Sequence, residues 1–278
     1  MRHSKIAGLV RPCVVALAVF SASLPANAKG CGNDGAGFGP WLESFKGRAA
    51  GDGISAGTIS KSLGGVGYDR NVIRLDRSQR SFKLSFEQFY ARRVSGALIN
   101  RGRSLMNTHR GTLNAIEKRY GVPGEVLISI WGLETNYGSD RGQGIPIVQA
   151  LATLSYDCRR SDFFEPQLLA ALQIIDRGDL SPAQMRGGWA GEIGQTQFLP
   201  LAYVQYAVDF DGNGRRDLIN SVPDILASTA NFLKSHGWQS GKGWQPGSSN
   251  FGVIAEWNKA EVYQRTIAVM ADQLRGRG

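Results

Sequence analysis

The segment Val126-Leu-Ile-Ser-Ile-Trp-Gly-Leu-Glu-Thr-Asn-Tyr-Gly138 carries an acid at the end of an apolar run. Leu127, Ile130, Trp131 and Glu134 fall at i, i+3, i+4 and i+7, so in a helix the carboxylate points where the apolar side chains point. A carboxylate there loses hydration, which disfavours its charged form and raises its pKa. An acid still protonated near neutral pH can hand a proton to a leaving oxygen, which is the general-acid step of glycosidic bond cleavage. Gly138 follows closely, ending the helix and setting Glu134 at the lip of a cleft. A buried glutamate paired with Arg141 or Arg159 is the competing reading. Hydrolysis by the usual route takes a second carboxylate. Asp140 lies beyond the helix end, and Glu192, in a Gly-rich loop, is the other candidate. An enzyme with one carboxylate must use part of the substrate itself.

Two further segments have the composition of sites. Gly187-Gly-Trp-Ala-Gly-Glu-Ile-Gly-Gln-Thr-Gln-Phe-Leu-Pro200 holds four Gly, two Gln and two aromatics. Glycines let backbone approach a ligand, while amides and aromatic faces suit the hydroxyl edges and C–H faces of a sugar polymer. A turn-rich connector is the plainer reading. Asp209-Phe-Asp211-Gly-Asn213-Gly214-Arg215 reads D-x-D-x-N-G, the opening of an EF-hand calcium loop, with the Arg215 carbonyl at position 7. Position 12 is Asn220 rather than a bidentate Glu; Asp224, four residues on, is positioned to supply the missing carboxylate. An Asx-turn loop without metal is the alternative.

The elements that must position these groups are mainly helical. Leu98, Gly102, Leu105, His109, Leu113, Ile116 and Tyr120 step at helical spacing, which predicts one long helix from about Ser95, stopped at Gly121-Val122-Pro123. His109 has no His or Cys at ligand spacing and reads as a packed core histidine. Helices are expected from Pro123 to about Thr135, after Ser161-Asp162 up to Gly178, from near Pro223 to His236-Gly237, and through Tyr263, Ile267, Met270 and Leu274. Residues 29–80 are Gly-rich and weakly periodic, and Gly64-Gly-Val-Gly67 reads as a turn, since it lacks a Gly-Lys-Ser/Thr ending. Strand-like alternation is scarce. The fold class is therefore mainly α with long functional loops.

Of 278 residues, 42% are hydrophobic and 20% charged, a globular balance that excludes general disorder; the 36 glycines show no collagen period. Arg2, His3, Lys5 and Arg11 precede an apolar run, Cys13 to Leu24, and Ala26-Asn-Ala28 is a small-x-small cleavage site. We read 1–28 as a secretory signal peptide and 29–278 as one domain. The apolar run is short for a membrane anchor, since spanning takes about 18 residues. Without 1–28 the chain keeps 29 basic and 23 acidic residues, net +6. Scattered Lys and Arg and export argue against nucleic acid; an anionic extracellular polymer fits better. Cys31 and Cys158 remain, and an even count in an exported protein suggests one disulfide, with two free thiols as the alternative.

These motifs together resemble the membrane-bound lytic murein transglycosylase B family, lysozyme-like family 103 of the glycoside-cleaving enzymes. The resemblance runs from about Phe38 to Leu274. Ile130–Gly138, Ala150–Arg160, Trp189–Pro200 and Tyr206–Gly214 carry it. It implies a lysozyme-like α fold with an EF-hand-like calcium loop. It also implies cleavage of the MurNAc–GlcNAc β-1,4 bond of peptidoglycan without water, leaving 1,6-anhydroMurNAc. Glu134 falls on the family's catalytic glutamate, acting first as acid and then as base on the MurNAc C6 hydroxyl. Asp209, Asp211, Asn213, Arg215 and Asp224 match its calcium ligands; the calcium would be structural and catalysis would need no cofactor. Tyr90, Trp189, Gln197, Phe232, Trp257, Asn258 and Tyr263 match sugar-contact positions. Gly188 stands where Ser is often found, Glu192 replaces a small residue, and Phe232 stands where a cleft Tyr can occur. Peptidoglycan glycan strands are the implied partner of a periplasmic monomer that is not an integral membrane protein. A lysozyme-type hydrolase using Glu192 and a non-catalytic wall-binding scaffold are the alternatives.

Overall fold

Short polar caps and glycine stops cut this chain into helices. A computed structural model describes residues 30–78, 84–140 and 144–276. The described elements run α1 (Phe38–Gly51), α2 (Ala56–Leu63), α3 (Arg70–Arg77), α4 (Phe86–Arg93), α5 (Gly96–Thr108), α6 (Arg110–Tyr120) and α7 (Gly124–Thr135). Then follow β1 (Ile145–Pro146), α8 (Ile147–Tyr156), α9 (Ser161–Asp176), β2 (Arg186–Gly187), α10 (Pro200–Tyr206), α11 (Val222–Ser235), α12 (Ser249–Trp257) and α13 (Glu261–Arg275). Ser55, Asp69, Ser85, Ser95, Ser221 and Ser248 each accept a hydrogen bond from a first-turn N–H of the helix they open. Gly121, at φ 75°, is the left-handed stop of α6 expected from its sequence.

The core is built around α7. Every residue of α7 is buried except Glu125 and Glu134, and the helix packs against α5, α6, α11 and α13. A helix that is apolar all round belongs in a protein interior, so the single apolar face read from its spacing was too narrow. α8, nearly as buried, lies against α9, α1 and α3. The two short strands pair antiparallel, Ile145 opposite Gly187, and hold the start of the Gly-rich loop against the N-terminus of α8.

Three expectations change. The long helix from Ser95 is two, α5 and α6, broken at His109, whose ψ of 19° departs from helical geometry. The apolar stripe continues across the break, which is why spacing alone missed it. His109 is half-buried at that junction, its ring 6.2 Å from Trp131, rather than deep in the core. Residues 29–80 hold three helices, with Phe38, Trp41, Leu42, Phe45 and Ala49 of α1 in the core. Glycines at 39, 47 and 51 dilute the periodicity of α1. The glycines from Gly64 do form a turn after α2. The segment read as a signal peptide lies outside the described residues. Cys31–Gly278 cluster as one compact unit. No helix among the described residues is long and apolar enough to cross a membrane.

Cys31 and Cys158 are joined in a disulfide. Around it, Gly32 N–H donates to Tyr156 O at 2.9 Å and Cys158 N–H to Gly32 O at 3.2 Å. Arg77 pairs with the buried Asp157 at 2.6 Å, and Arg159 and Arg160 both pair with the buried Asp76. With its cysteines 127 positions apart in sequence, the bond limits the unfolded chain strongly. The double variant Cys31→Ser/Cys158→Ser is expected to lose about 2–4 kcal/mol of stability in denaturant melts. Two titratable thiols in the unreduced, denatured protein would contradict the pairing.

Candidate active site

Glu134 sits in the last turn of α7, where the helix opens onto a cavity of about 530 Å³. Three successive left-handed residues follow, Asn136 (φ 48°), Tyr137 (φ 56°) and Gly138 (φ 77°). This conformation is costly for a tyrosine. It is held by Tyr137 Oη donating to Leu98 O at 3.0 Å and by its ring lying edge-on to Trp131 at 5.5 Å. At Gly138 a Cβ would run into the Gln195 side-chain amide, so the close approach itself requires glycine.

Gln195 ties this helix end to the Gly-rich loop. Its Oε1 accepts from Trp131 Nε1 at 2.8 Å, its backbone O from Thr135 Oγ1 at 2.6 Å, and its Nε2 donates to Ile219 O at 2.8 Å. The loop is pinched by paired backbone bonds between Ile193 and Phe198. Gln197 at the turn takes φ 55° and its Nε2 donates to Gly194 O at 2.8 Å.

The Glu134 carboxyl is gripped on one oxygen. Trp257 Nε1 donates to Oε1 at 2.9 Å and Tyr263 Oη to the same atom at 2.7 Å. Oε2 receives no donor among the described residues. Burial pushes the Glu134 carboxyl above the usual carboxylate range; the two donors and the Arg93 guanidinium pull it back, and the charge of Glu192 adds to the rise. Tyr263 is buried beside this carboxyl, and both burial and its anionic neighbour raise the phenol pKa, so it stays a donor. Of the arginines in the competing reading, Arg159 is engaged with Asp76 rather than Glu134, and Arg141 lies outside the described residues.

Trp189, Gln197, Phe232, Trp257 and Asn258 line the cavity with Glu134. Phe198, Phe232 and Trp257 form an aromatic cluster, with rings 5.1–6.1 Å apart. Tyr263 lies beneath Glu134 rather than in the wall. Tyr90 is not among the lining residues; its ring packs on Phe86 and its hydroxyl is buried without a partner. Trp131 is buried behind the site. Sequence reasoning missed Phe163, an exposed aromatic at this cavity, and the bracing role of Gln195. Gln195 lay inside the flagged loop, whereas Phe163 had no signal beyond its type.

The acidic loop lies apart from this cavity's lining. One carboxylate oxygen each from Asp209, Asp211 and Asp224 lies within 4.8 Å of the others. Asp224 is fully buried and accepts from the N–H groups of Phe210, Asp211 and Asp217. Burial nonetheless pushes its carboxyl up. Asn220 turns instead to Asp217, and it is Asp224 whose carboxylate joins those of Asp209 and Asp211. This all-oxygen donor set suits a hard cation such as calcium.

Residues 37–248 match the family model described as the transglycosylase SLT domain. The chain belongs to this transglycosylase family. It is 38% identical over 144 residues to membrane-bound lytic murein transglycosylase B of Escherichia coli K12, a stretch covering 51% of this chain and 39% of that protein. The aligned stretch thus spans about two fifths of that relative's length. SltB3 from Pseudomonas aeruginosa, solved with NAG-anhNAM-pentapeptide, is similar at TM-score 0.81 and 31% identity, covering 86% of this chain and 80% of that one. The Escherichia coli lytic transglycosylase Slt35, solved in complex with calcium, matches at TM-score 0.77 and 24% identity, covering 90% and 97%; at that identity the likeness speaks for the fold. The fold is thereby the lysozyme-like, mainly α fold of the lytic transglycosylases.

In this transglycosylase domain, Tyr263→Phe removes a donor that favours the ionised form of Glu134. Glu134 is expected to half-ionise at a higher pH than in the unsubstituted protein, read by isotope-edited infrared titration of the carboxyl. A downward move would contradict the assigned hydrogen bond.

Proposed function

We propose that this protein is an exported, periplasmic lytic transglycosylase that acts as a monomer on peptidoglycan glycan strands. It cleaves the MurNAc–GlcNAc β-1,4 bond and leaves a 1,6-anhydroMurNAc end. One observation carries the reading: a solvent-deprived acid held by two donors on one oxygen, its other oxygen without a protein donor, in an aromatic-walled cleft. The protonated Glu134 gives its proton to the glycosidic oxygen as the C1–O4 bond breaks. Trp257 and Tyr263 then stabilise the carboxylate that forms. That carboxylate takes the proton of the MurNAc C6 hydroxyl as O6 closes on C1, and Glu134 ends as it began. The tethered hydroxyl has an effective concentration far above that of a diffusing alcohol, and Trp189, Phe198, Phe232 and Trp257 limit water at the reacting carbon. The names of the relatives, and the peptidoglycan fragment bound to SltB3, support the substrate class.

A second reading, hydrolysis with Glu192 activating water, is favoured by one observation: Glu192 lines the same cavity. The acidic loop we assign to a structural calcium, held by Asp209, Asp211, Asn213, the Arg215 carbonyl and Asp224. The clustered carboxylates and the calcium bound to Slt35 support it. It would neutralise three mutually repelling acids and take no part in the chemistry.

Glu134→Gln is expected to lower cleavage of purified sacculi by roughly 10²–10⁴-fold, the loss typical of a general acid–base. The Glu134 pKa is raised in the fold, so ionising it costs stability as pH rises through the folded value. Gln copies the protonated form, and the variant should melt no lower than wild type, with the gap opening as pH rises from the unfolded carboxyl's value to the folded one and staying level above it. Cleavage within about tenfold of wild type would contradict the assignment. Calcium added after chelation should raise the melting temperature, increasingly as its concentration exceeds the dissociation constant, and Asp209→Ala should abolish that rise. No shift at millimolar calcium would contradict the metal assignment.

A further inference from the structure

Glu192 and Gly188 meet in the wall of the cavity that holds Glu134. A Cβ built on Gly188 would collide with Glu192 Oε2 and lie 2.8 Å from its Cδ. Gly188 is not among the left-handed residues, so its backbone does not demand glycine; the space does. The Glu192 carboxylate fills that space. Its Oε2 accepts from Ala190 N–H at 3.0 Å. Its own backbone N–H also favours the charged carboxyl, and among the described residues no side-chain donor reaches Oε1 and no Lys or Arg pairs with it. Several other polar side chains of the cavity are at least partly engaged elsewhere. Arg160 pairs with Asp76, Glu256 with Lys259 at 2.7 Å, Gln197 Nε2 donates to Gly194 O, and Asn258 Oδ1 accepts from Ala260 N–H. Glu192 Oε1 is therefore an acceptor, partly withdrawn from water, that no side-chain donor meets among the described residues. Such a group is costly unless a ligand donor meets it. Amino sugars bring such donors in their hydroxyl and acetamido N–H groups.

We propose that Glu192 is a glycan-binding residue of this cleft, its Oε1 accepting a hydrogen bond from a hydroxyl or acetamido N–H of the sugar bound beside Glu134, and that Gly188 is the gap admitting its carboxylate. The choice of ligand rests on the transglycosylase reading; the coupling of the two residues rests on their geometry. Substituting Gly188 by Ala displaces the far end of a flexible side chain, so the cost falls on binding rather than on the fold.

The test is calorimetry of a GlcNAc–MurNAc tetrasaccharide, prepared from peptidoglycan, on the full chain carrying Glu134→Gln so that nothing is cut. Glu192→Ala and Gly188→Ala are each expected to weaken binding about tenfold or more, as for a lost hydrogen bond to a charged group. The double variant should lose no more than either alone, because both act through one carboxylate. Glu192→Gln, which keeps an acceptor oxygen, should retain part of the affinity. Melting temperatures close to the parent's would show that the fold is kept. Binding by Glu192→Ala within twofold of the parent, or losses that simply add, would overturn the proposal. So would unchanged binding with a fall in kcat when Glu134 is intact, the mark of a water-activating base. The two readings fail separately. A wild type that binds through Glu192 but cleaves nothing sinks the transglycosylase alone; a wild type that cleaves while Glu192→Ala binds normally sinks only this inference.

Discussion

Glu134 loses water at the end of a buried helix, and no cation among the described residues is paired with it in exchange. Withdrawing a carboxylate from water costs several kcal/mol even after relaxation. Each neutral donor aimed at the charged form returns only about 1.5–3 kcal/mol. Two donors, Trp257 and Tyr263, therefore soften the penalty without removing it, and the carboxyl stays above its usual range. A full ion pair in their place would have pulled the acid low and left it ionised. Arg93 stands near enough to be felt, but its guanidinium donates to Leu133 O.

Much of the architecture serves to keep that acid dry and still. α7 is enclosed by α5, α6, α11 and α13, and α13 brings Tyr263 while the end of α12 brings Trp257. The strained exit from α7 is braced by Gln195, which reaches both Trp131 and the backbone of the loop beyond. Displacing that amide would loosen the acid's helix and the Gly-rich loop together. The disulfide and the arginine pairs on Asp76 and Asp157 fasten the N-terminal segment to the junction of α8 and α9, close to Arg160 at the cavity rim.

Local pattern made some of this readable in advance. Glu134 stood out because it is a charge in an apolar run, and the acidic loop because its ligands are consecutive in sequence. Gly121 and Gly138 announced their turns because only a few residue types tolerate those conformations. What stayed hidden depends on meetings between distant segments. Trp257 and Tyr263 were recognised as cleft positions, yet their donation to Glu134 crosses 123 and 129 residues. The break at His109 escaped because the apolar stripe runs through it unbroken. Tyr90 was expected near sugar and instead packs on Phe86. The Gly188 and Glu192 departures stand four residues apart in sequence; in space the Glu192 carboxyl occupies the room a side chain at 188 would take.

The central claim is that the substrate, not water, captures the reacting carbon. Its most direct measurement is mass spectrometry of sacculus digests made in water enriched in heavy oxygen. The account predicts muropeptides one water lighter than reducing sugars, ending in 1,6-anhydroMurNAc and free of label. Reducing MurNAc ends carrying the heavy oxygen would contradict it and promote hydrolysis through Glu192.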